Sequence, residues 1–334
     1  MPANTIIFKY ALKRVYLKMG EHKVLIIKPG YSEILDDRNN SRKVSLGDVL
    51  RTTVILHAFR DEEVTWVTDK EAFPLLEGNK YIKRLLPYDF TTVLQIEAEE
   101  FDFVINLEKV PGICAWADKV RAWKKFGFRF DSRHGRAEAY DRAFEVLAVS
   151  SDQESKRMNE RTTQELLFEM IGQKWKGEEY VLGHNPTTSE MFDVGLNTQI
   201  GQKWPSKAWP LKNWDSLEKR LVGEGYRVTR QDKQDEKILS DLNSYIDWIN
   251  SSKAIISNDS LGLHLAIALK KTTLGLFGPT PHREVYFYER GKPLLPEPLL
   301  DCIPCFKGKC DKDTQCMETI SPERVYLEAK SYLK

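Results

Sequence analysis

The sequence contains no apolar run approaching the ~18 residues of a membrane-spanning helix, and no signal-peptide core follows Met1. It also lacks a charge imbalance, since 50 Lys and Arg residues against 49 Asp and Glu residues leave a net charge of +1. A neutral chain offers no basic surface for nucleic acid, so nucleic acid is not an expected partner. With 41% hydrophobic and 30% charged residues, we predict a soluble, cytoplasmic, globular protein.

A motif is missing as well: no GxGxxG follows the first strand of either half, which argues against a dehydrogenase. The 334 residues suit two domains of roughly 150 residues each. Short apolar runs, such as KVLIIK at 23–28 and FDFVINL at 101–107, alternate with segments of helical spacing, which is typical of βαβ units. The polar residues 151–165 are predicted to begin one long exposed helix.

The alternation restarts after GEEYVLGHNPTTSE, residues 177–190, which carries turn residues and no clear period. We therefore predict an α/β protein with two facing Rossmann-like domains and a central cleft, comprising residues 1–180 and 181–334. Ligands of such sheets bind outside the carboxyl ends of the strands.

Near the N-terminus, NTIIFKYALKRVYLKMG (residues 4–20) has the pattern of a basic amphipathic helix. One interpretation is a helix that lies on an anionic membrane surface, which would place the protein at the inner membrane. The other is a helix packed against the first domain.

The segment ISNDSLGLHLAIALKKTTLGLFGPT, residues 256–280, predicts a strand, a helix, a second strand and a turn. A polar cap at the helix start leaves backbone N–H groups free to bind an anion, and a glycine there allows a phosphate to approach closely. The alternative is an ordinary helix cap with a histidine in the core. The predicted phosphate-binding residues are Asp259, Ser260, Leu261, Gly262, His264, Gly278, Pro279 and Thr280.

A second constellation is GQKWPSKAWPLKNW, residues 201–214, which follows the first strand of the second domain. Lys203 and Lys207 lie in a loop that two Trp-Pro pairs should fix in place. A fixed ammonium group can neutralise the charge of a departing diphosphate. The alternative is a pair of surface lysines between buried tryptophans.

Four segments together resemble glycosyltransferase family 9, the ADP-heptose:lipopolysaccharide heptosyltransferases. They are SLGDVLRTT, KAWPLKNW, NDSLGLHLAIAL and LFGPT, in the family's order. The resemblance implies the GT-B fold and an inverting, metal-independent transfer of a sugar from a nucleotide diphosphate to a glycan or protein acceptor. ADP-heptose is the first donor it suggests.

By this resemblance Asp48 takes the place of the catalytic base, Lys207 contacts the donor phosphates, and the turns at 259–264 and 278–280 hold the donor. An inverting transfer needs one carboxylate to remove the proton of the attacking hydroxyl. On local sequence alone Asp48 could equally be a helix cap. NLEKVPG, residues 106–112, ends a first-domain strand at the cleft, so Glu108 and Lys109 are acceptor candidates, or simply turn residues.

The chain departs from the family pattern at three places. Leu261 separates the Asp-Ser pair from its glycine, TRQDKQDEK at 229–237 replaces a glycine-bearing turn, and YSEILDDRNNSRK at 31–43 is an insert. These departures leave nucleotide recognition and the acceptor open.

Four of the five cysteines, Cys302, Cys305, Cys310 and Cys316, lie within CIPCFKGKCDKDTQC. In a cytoplasmic chain this spacing predicts a structural metal, zinc or iron or an iron–sulfur cluster, more than disulfides or free thiols. It resembles the cysteine-bound iron of heptosyltransferases that modify autotransporter proteins. The Asp311–Asp313 DxD lies inside this loop and is not taken as a catalytic metal site.

Two other functions remain open from the sequence. A GT-B epimerase would need further carboxylates and a histidine in the cleft, which the sequence does not clearly offer. A non-catalytic sugar-nucleotide-binding or metal-stabilised interaction protein would bind a donor but form no product.

Overall fold

A computed structural model describes residues 22–31, 44–234, 239 and 241–333. The predicted basic helix at 4–20 and most of the insert at 31–43 lie outside these residues. The described chain forms two α/β units, each built on one predominantly parallel sheet. No helix in these ranges is long and apolar enough to cross a membrane.

The first unit is a six-stranded sheet in the order β3-β2-β1-β4-β5-β6. Its neighbouring strands are parallel except for β6, which forms an antiparallel hairpin with β5 that the sequence did not predict. The strands are β1 (Lys23–Ile27), β2 (Glu63–Thr68), β3 (Arg84–Pro87), β4 (Glu100–Asn106), β5 (Arg121–Asp131) and β6 (Arg136–Ala139). The helices are α1 (Leu46–Thr52), α2 (Phe73–Leu76), α3 (Phe90–Ala98), α4 (Pro111–Lys119), α5 (Phe144–Ser151), α6 (Gln153–Met158) and α7 (Thr163–Met170).

The polar segment predicted to begin one long helix instead contains a break between α6 and α7. The side chain of Asn159 bonds the backbone of Arg161, which is an alternative to continuing the helix. Thr162 and Glu165 then form a capping box that starts α7 anew. The prediction was wrong because it weighed polarity and overlooked these local side-chain bonds.

The second unit is a five-stranded, all-parallel sheet in the order β11-β10-β9-β7-β8. Its strands are β7 (Phe192–Asn197), β8 (Val228–Arg230), β9 (Ser252–Asn258), β10 (Thr272–Leu276) and β11 (Gly291–Leu294). Its helices are α8 (Leu211–Gly223), α9 (Leu242–Asn250), α10 (Leu261–Ala268) and α11 (Pro322–Tyr332).

Residues 171–191, which connect the two units, contain no helix or strand and include the predicted boundary. One cluster of buried apolar side chains runs from the first unit, through Tyr180 in this connection, to Leu263 and Phe277 in the second. Two further clusters cover the other face of each sheet. The shared core joins the two units near the carboxyl ends of their sheets, and the candidate site lies there.

Candidate active site

The turn between β9 and α10 presents an uncapped helix start. Ser260 occupies the cap position in an extended conformation and makes no side-chain cap hydrogen bond. Its hydroxyl instead accepts a hydrogen bond of 2.9 Å from the Asn197 side chain. The first backbone N–H groups of α10, beginning at Leu261, are therefore not capped by a side chain, which suits anion binding.

Gly262 has a packing role that the sequence did not indicate. A Cβ at this position would lie 2.4 Å from both Nδ2 of Asn197 and the hydroxyl of Tyr245, distances that no real Cβ tolerates. The Tyr245 hydroxyl also donates to Oδ1 of Asn197 at 2.6 Å. The glycine is thus required where α10 meets the ends of β7 and α9, whether or not it also admits a phosphate.

The predicted donor residues from three separate turns meet at Asp259. Nζ of Lys207 lies 2.8 Å from Oδ2 of Asp259, and the Thr280 hydroxyl donates to the same oxygen at 2.6 Å. Nζ of Lys207 also sits 5.2 Å from the centre of the Trp204 ring. Burial disfavours the charged carboxylate, but the Lys207 ammonium outweighs this and lowers the pKa of Asp259 to about 2.

Lys203 lies exposed on the same loop as Lys207. Its carbonyl oxygen approaches the backbone of Gly308 so closely that a Cβ there would lie 2.8 Å away. Lys203 thus shares a loop with Lys207, and its role in binding the donor stays a prediction.

The cysteine loop, residues 302–316, is packed against the donor turns. The backbone N–H and the hydroxyl of Ser206 donate to the carbonyls of Gly308 (3.0 Å) and Lys307 (2.6 Å). The N–H of Phe306 donates to the carbonyl of Pro279 at 2.9 Å. Next to it, a Cβ on Gly278 would lie 2.5 Å from Sγ of Cys316. The loop therefore supports both the lysine loop and the last donor turn.

All four cysteines of this loop are free thiols in the structure, which contains no disulfide among the described residues. Burial, together with the neighbouring Cys305, Cys310 and Cys302, raises the pKa of Cys316 to about 11. Within the described ranges, no group of three or more His, Cys, Asp or Glu side chains is arranged to hold a metal ion. The predicted metal is therefore not confirmed.

On the opposite side of the cleft, Asp48 is the third residue of α1 and does not cap it, since the cap position belongs to Ser45. The Ser45 hydroxyl donates to Oδ2 of Asp48 at 2.8 Å, and the Arg51 guanidinium donates to Oδ1 at 2.7 Å. Burial opposes ionisation, but Arg51 and Lys28 outweigh it and hold the pKa of Asp48 well below its usual range. Asp48 is thus a charged carboxylate at the cleft.

The two sides touch beside Asp48. A Cβ on Gly47 would lie 3.2 Å from Cδ2 of His264, so the first turn of α1, which carries Asp48, meets the first turns of α10. His264 is 6% exposed, and its Nδ1 has no partner among the described residues. Burial and the nearby Arg51 lower the pKa of His264 to about 3, so this histidine is neutral at physiological pH.

The acceptor candidates occupy different surroundings. Glu108 is fully buried, pairs with Nζ of Lys28 at 2.8 Å and accepts the N–H of Gly30 at 2.7 Å, so it holds the turn after β1. Lys109 donates to the carbonyl of Ser150 at 2.6 Å. Burial, and then Lys156, lowers the pKa of Lys109 to about 8. Glu108 is thus engaged within the first unit, and the acceptor role of both residues remains a prediction.

Sequence reasoning missed three residues of this site. They are Arg51, Glu284, whose Oε2 lies 3.8 Å from the Arg51 guanidinium, and Tyr180, whose ring centre lies 6.1 Å from that of His264. Arg51 could have been found, because it lies one helical turn after Asp48. Tyr180 lies in the connecting segment and Glu284 in the short 3-10 turn His282–Glu284, and neither position carries a motif. Their placement follows from long-range packing alone.

Comparison with known proteins agrees with this geometry. The sequence profile of "Glycosyltransferase family 9 (heptosyltransferase)" matches residues 92–315. Lipopolysaccharide heptosyltransferase 2 of Escherichia coli K12 is 25% identical over 196 residues, 51% of this chain and 54% of that protein. The matches span about half the length, or less, of the curated relatives.

Two solved structures share the fold along nearly the whole chain. E. coli heptosyltransferase WaaC with ADP superposes with a TM-score of 0.60 at 15% identity, covering 93% of this chain and 99% of that one. The iron-containing dodecameric glycosyltransferase TibC from enterotoxigenic E. coli superposes with a TM-score of 0.56 at 12% identity, covering 95% and 77%. These neighbours confirm the GT-B architecture of two facing Rossmann-like units.

Proposed function

Because the chain belongs to glycosyltransferase family 9, we propose that it transfers a sugar from a nucleotide diphosphate to an acceptor hydroxyl, with inversion and without a catalytic metal. One observation carries the proposal: a Lys207–Asp259–Thr280 cluster beside an uncapped helix start lies across the cleft from the charged Asp48. Such a transfer requires a binding site for the diphosphate and a general base for the acceptor hydroxyl.

In the proposed reaction Asp48 removes the proton of the acceptor hydroxyl as its oxygen attacks C1 of the sugar. The bond from C1 to the diphosphate oxygen breaks on the opposite face, and the nucleotide diphosphate departs with the electron pair. Lys207 and the first N–H groups of α10 stabilise the charge that develops on it. The sugar is thereby joined to the acceptor with inverted configuration.

We infer ADP-heptose as the first donor to test, because the matching family is described as heptosyltransferase and WaaC was solved with ADP. In the segment that departs from the family pattern, the buried arginine is already paired with carboxylates rather than available to a nucleobase. There Arg230 is 2% exposed and pairs with Asp215, Glu218 and Asp232. UDP- and GDP-sugars therefore belong in the same screen.

The acceptor is proposed to be a glycan or a protein. The curated relatives are named for lipopolysaccharide or lipooligosaccharide, which favours a glycan acceptor at the inner membrane surface. The predicted basic helix at 4–20 would provide the membrane contact.

The cysteine loop is proposed to bind one structural zinc or iron ion. Four thiols within one irregular loop have the donor chemistry of such a site, and the neighbour TibC is iron-containing. When bound, four thiolates would order the loop and leave no open coordination position. Elemental analysis of protein purified without a histidine tag should find one metal per chain. Four titratable thiols with no metal would contradict this.

The function is tested by incubating the purified full chain with ADP-, UDP- and GDP-sugars and a panel of acceptors. Thermal shift measures binding, and release of the nucleotide diphosphate together with a new glycoside measures transfer. We expect both with an ADP-sugar. Binding without a product would support the non-catalytic alternative, and no binding of any nucleotide would reject the proposal.

A further inference from the structure

Many of the buried polar atoms that lack a hydrogen-bond partner lie where the two units meet. Among the described residues there are thirteen such side-chain atoms, and six of them are at this junction: Nε of Arg51, Oε1 of Gln164, the Tyr180 hydroxyl, Nδ1 of His264, Oε1 of Glu284 and Nε of Arg290. Buried polar groups are normally hydrogen-bonded, so a concentration of exceptions calls for an explanation. If the two units change position during the reaction, the atoms between them would form different hydrogen bonds in each arrangement, and some would be unpaired in either one.

Arg51 lies between two carboxylates at this junction. One terminal nitrogen donates to Oδ1 of Asp48 at 2.7 Å, a charge-assisted hydrogen bond. The other lies 3.8 Å from Oε2 of Glu284, an ion pair beyond hydrogen-bond distance. Asp48 belongs to the first unit and Glu284 to the second, so Arg51 spans the boundary. Nζ of Lys156, also from the first unit, is 4.0 Å from Oε1 of Glu284.

The pairing with Arg51 bears directly on the proposed base. Both oxygens of Asp48 accept hydrogen bonds, one from Arg51 and one from Ser45. A carboxylate held by a guanidinium binds a proton less readily and is a weaker general base. The other titratable groups whose charges act on or respond to Asp48 are Lys28 after β1, Lys109 after β4, Tyr180 in the connecting segment and His264 on α10.

We propose that Arg51 is a positioning residue that divides its guanidinium between Asp48 and Glu284, so that approach of the second unit draws Arg51 away from the base. Glu284 closely follows the 278–280 turn, whose Thr280 bonds the donor-side Asp259. The charges of both Glu284 and Asp259 act on Arg51, which links the donor-side turn to the carboxylate that competes for Arg51. The inference rests on the proposed function and adds to it a link between donor engagement and the strength of the base.

The first variant is Glu284→Gln, which removes the competing charge and keeps the shape. With Arg51 left to Asp48 alone, kcat should fall about tenfold while the donor KM changes less than about twofold. The matched control is Glu179→Gln, which breaks the pair between Glu179 and Arg290 (2.8 and 3.0 Å) at the same junction without touching the base. The control should leave both constants near wild type.

The second variant is Arg51→Gln, which frees Asp48. The apparent pKa of the acidic limb of the kcat/KM profile should then increase to the ordinary aspartate range, near ~4. A purely structural role for Arg51 would not produce this change. In this background Glu284→Gln should have no further effect. If Arg51→Gln does not fold, Arg51→Lys is combined with Glu284→Gln instead. The lysine ammonium keeps the positive charge but cannot pair with two carboxylates at once, as the planar guanidinium can.

Equal changes of kcat in Glu284→Gln and Glu179→Gln would overturn this inference, as would additive effects on kcat when Arg51→Gln and Glu284→Gln are combined. Either result would leave the proposed transferase activity intact. A wild-type protein that transfers no sugar would instead remove the proposed function, and this inference with it.

Discussion

The two ion pairs that face each other across the cleft are built in different ways. Lys207 and Asp259 lie 2.8 Å apart but come from the loop after β7 and the turn after β9, with Thr280 from a third turn. Arg51 and Asp48 lie 2.7 Å apart on one turn of one helix. The donor-side pair exists only because the sheet brings its parts together, whereas the base-side pair is local.

This difference indicates how each pair is used. The Lys207 side chain carries a compact charge at the end of a flexible chain. We therefore expect an arriving diphosphate to replace Asp259 as the ion-pair partner of Lys207. Arg51 carries a planar guanidinium on a helix between two carboxylates, so we expect the position of the second unit to decide how strongly it pairs with Asp48. We therefore expect the Lys207–Asp259 pair to respond to a ligand and the Arg51–Asp48 pair to respond to the position of the other unit.

The largest effect is expected from Asp48→Ala. It should lower the transfer rate at least ~100-fold, because the acceptor hydroxyl loses its general base, and should leave donor affinity near wild type. Kinetics and calorimetric titration with ADP measure the two quantities separately. Turnover equal to wild type would remove Asp48 from the mechanism.

Lys207→Ala should lower both donor affinity and turnover, each by about tenfold or more, because the same ammonium serves the bound and the departing diphosphate. Lys219→Ala, an exposed lysine on α8, is the control. If ADP binds Lys207→Ala as tightly as it binds wild type, the Lys207–Asp259 pair is structural only.

A smaller effect is expected in the cysteine loop, residues 302–316. Cys305→Ser should lower the Tm by several degrees and change the rate of the surviving enzyme less, since the 302–316 loop supports the donor turns but contributes no group to the reaction. Cys114→Ser, a buried cysteine in the first unit, is the matched control for loss of a thiol. A Tm unchanged by Cys305→Ser but lowered by Cys114→Ser would argue against an ordered, metal-bound loop.

The smallest effect concerns pH and His264. Its pKa is about 3 in the folded protein against 6.5 for the free side chain, so between these values the unfolded chain binds a proton that the folded chain does not. Stability should therefore fall as pH decreases below 6.5, by about 2 kcal/mol between pH 7 and pH 5. Urea unfolding should show this loss in wild type and in a variant of the exposed His134, and a much smaller loss in His264→Gln, where the lowered pKa of His282 remains. The same loss in His264→Gln would contradict the buried, neutral histidine.

Much of the fold followed from the sequence because its signals are local. Continuous apolar runs marked buried strands such as Lys23–Ile27, and the polar turns marked their carboxyl ends. The β5–β6 hairpin was missed because Arg121–Asp131 carries many charges along a strand near the sheet edge. The break before α7 was missed because it depends on two side chains, those of Asn159 and Thr162.

The site was predictable only in part. The meeting of Lys207, Asp259 and Thr280 was expected because parallel strands end at one edge. What could not be predicted was the packing that Gly262 makes with Asn197 and Tyr245, since it joins three separate elements. The same is true of the support that the cysteine loop gives to Pro279 and Ser206, because no local pattern encodes those backbone contacts.

We propose that the cleft holds a nucleotide sugar between the Lys207–Asp259 pair and Asp48. A crystal structure of the full chain soaked with an ADP-sugar tests it most directly. We predict the diphosphate at Lys207 and the first turn of α10, with C1 of the sugar facing Asp48. A nucleotide bound elsewhere, or a sugar that faces away from Asp48, would contradict the account.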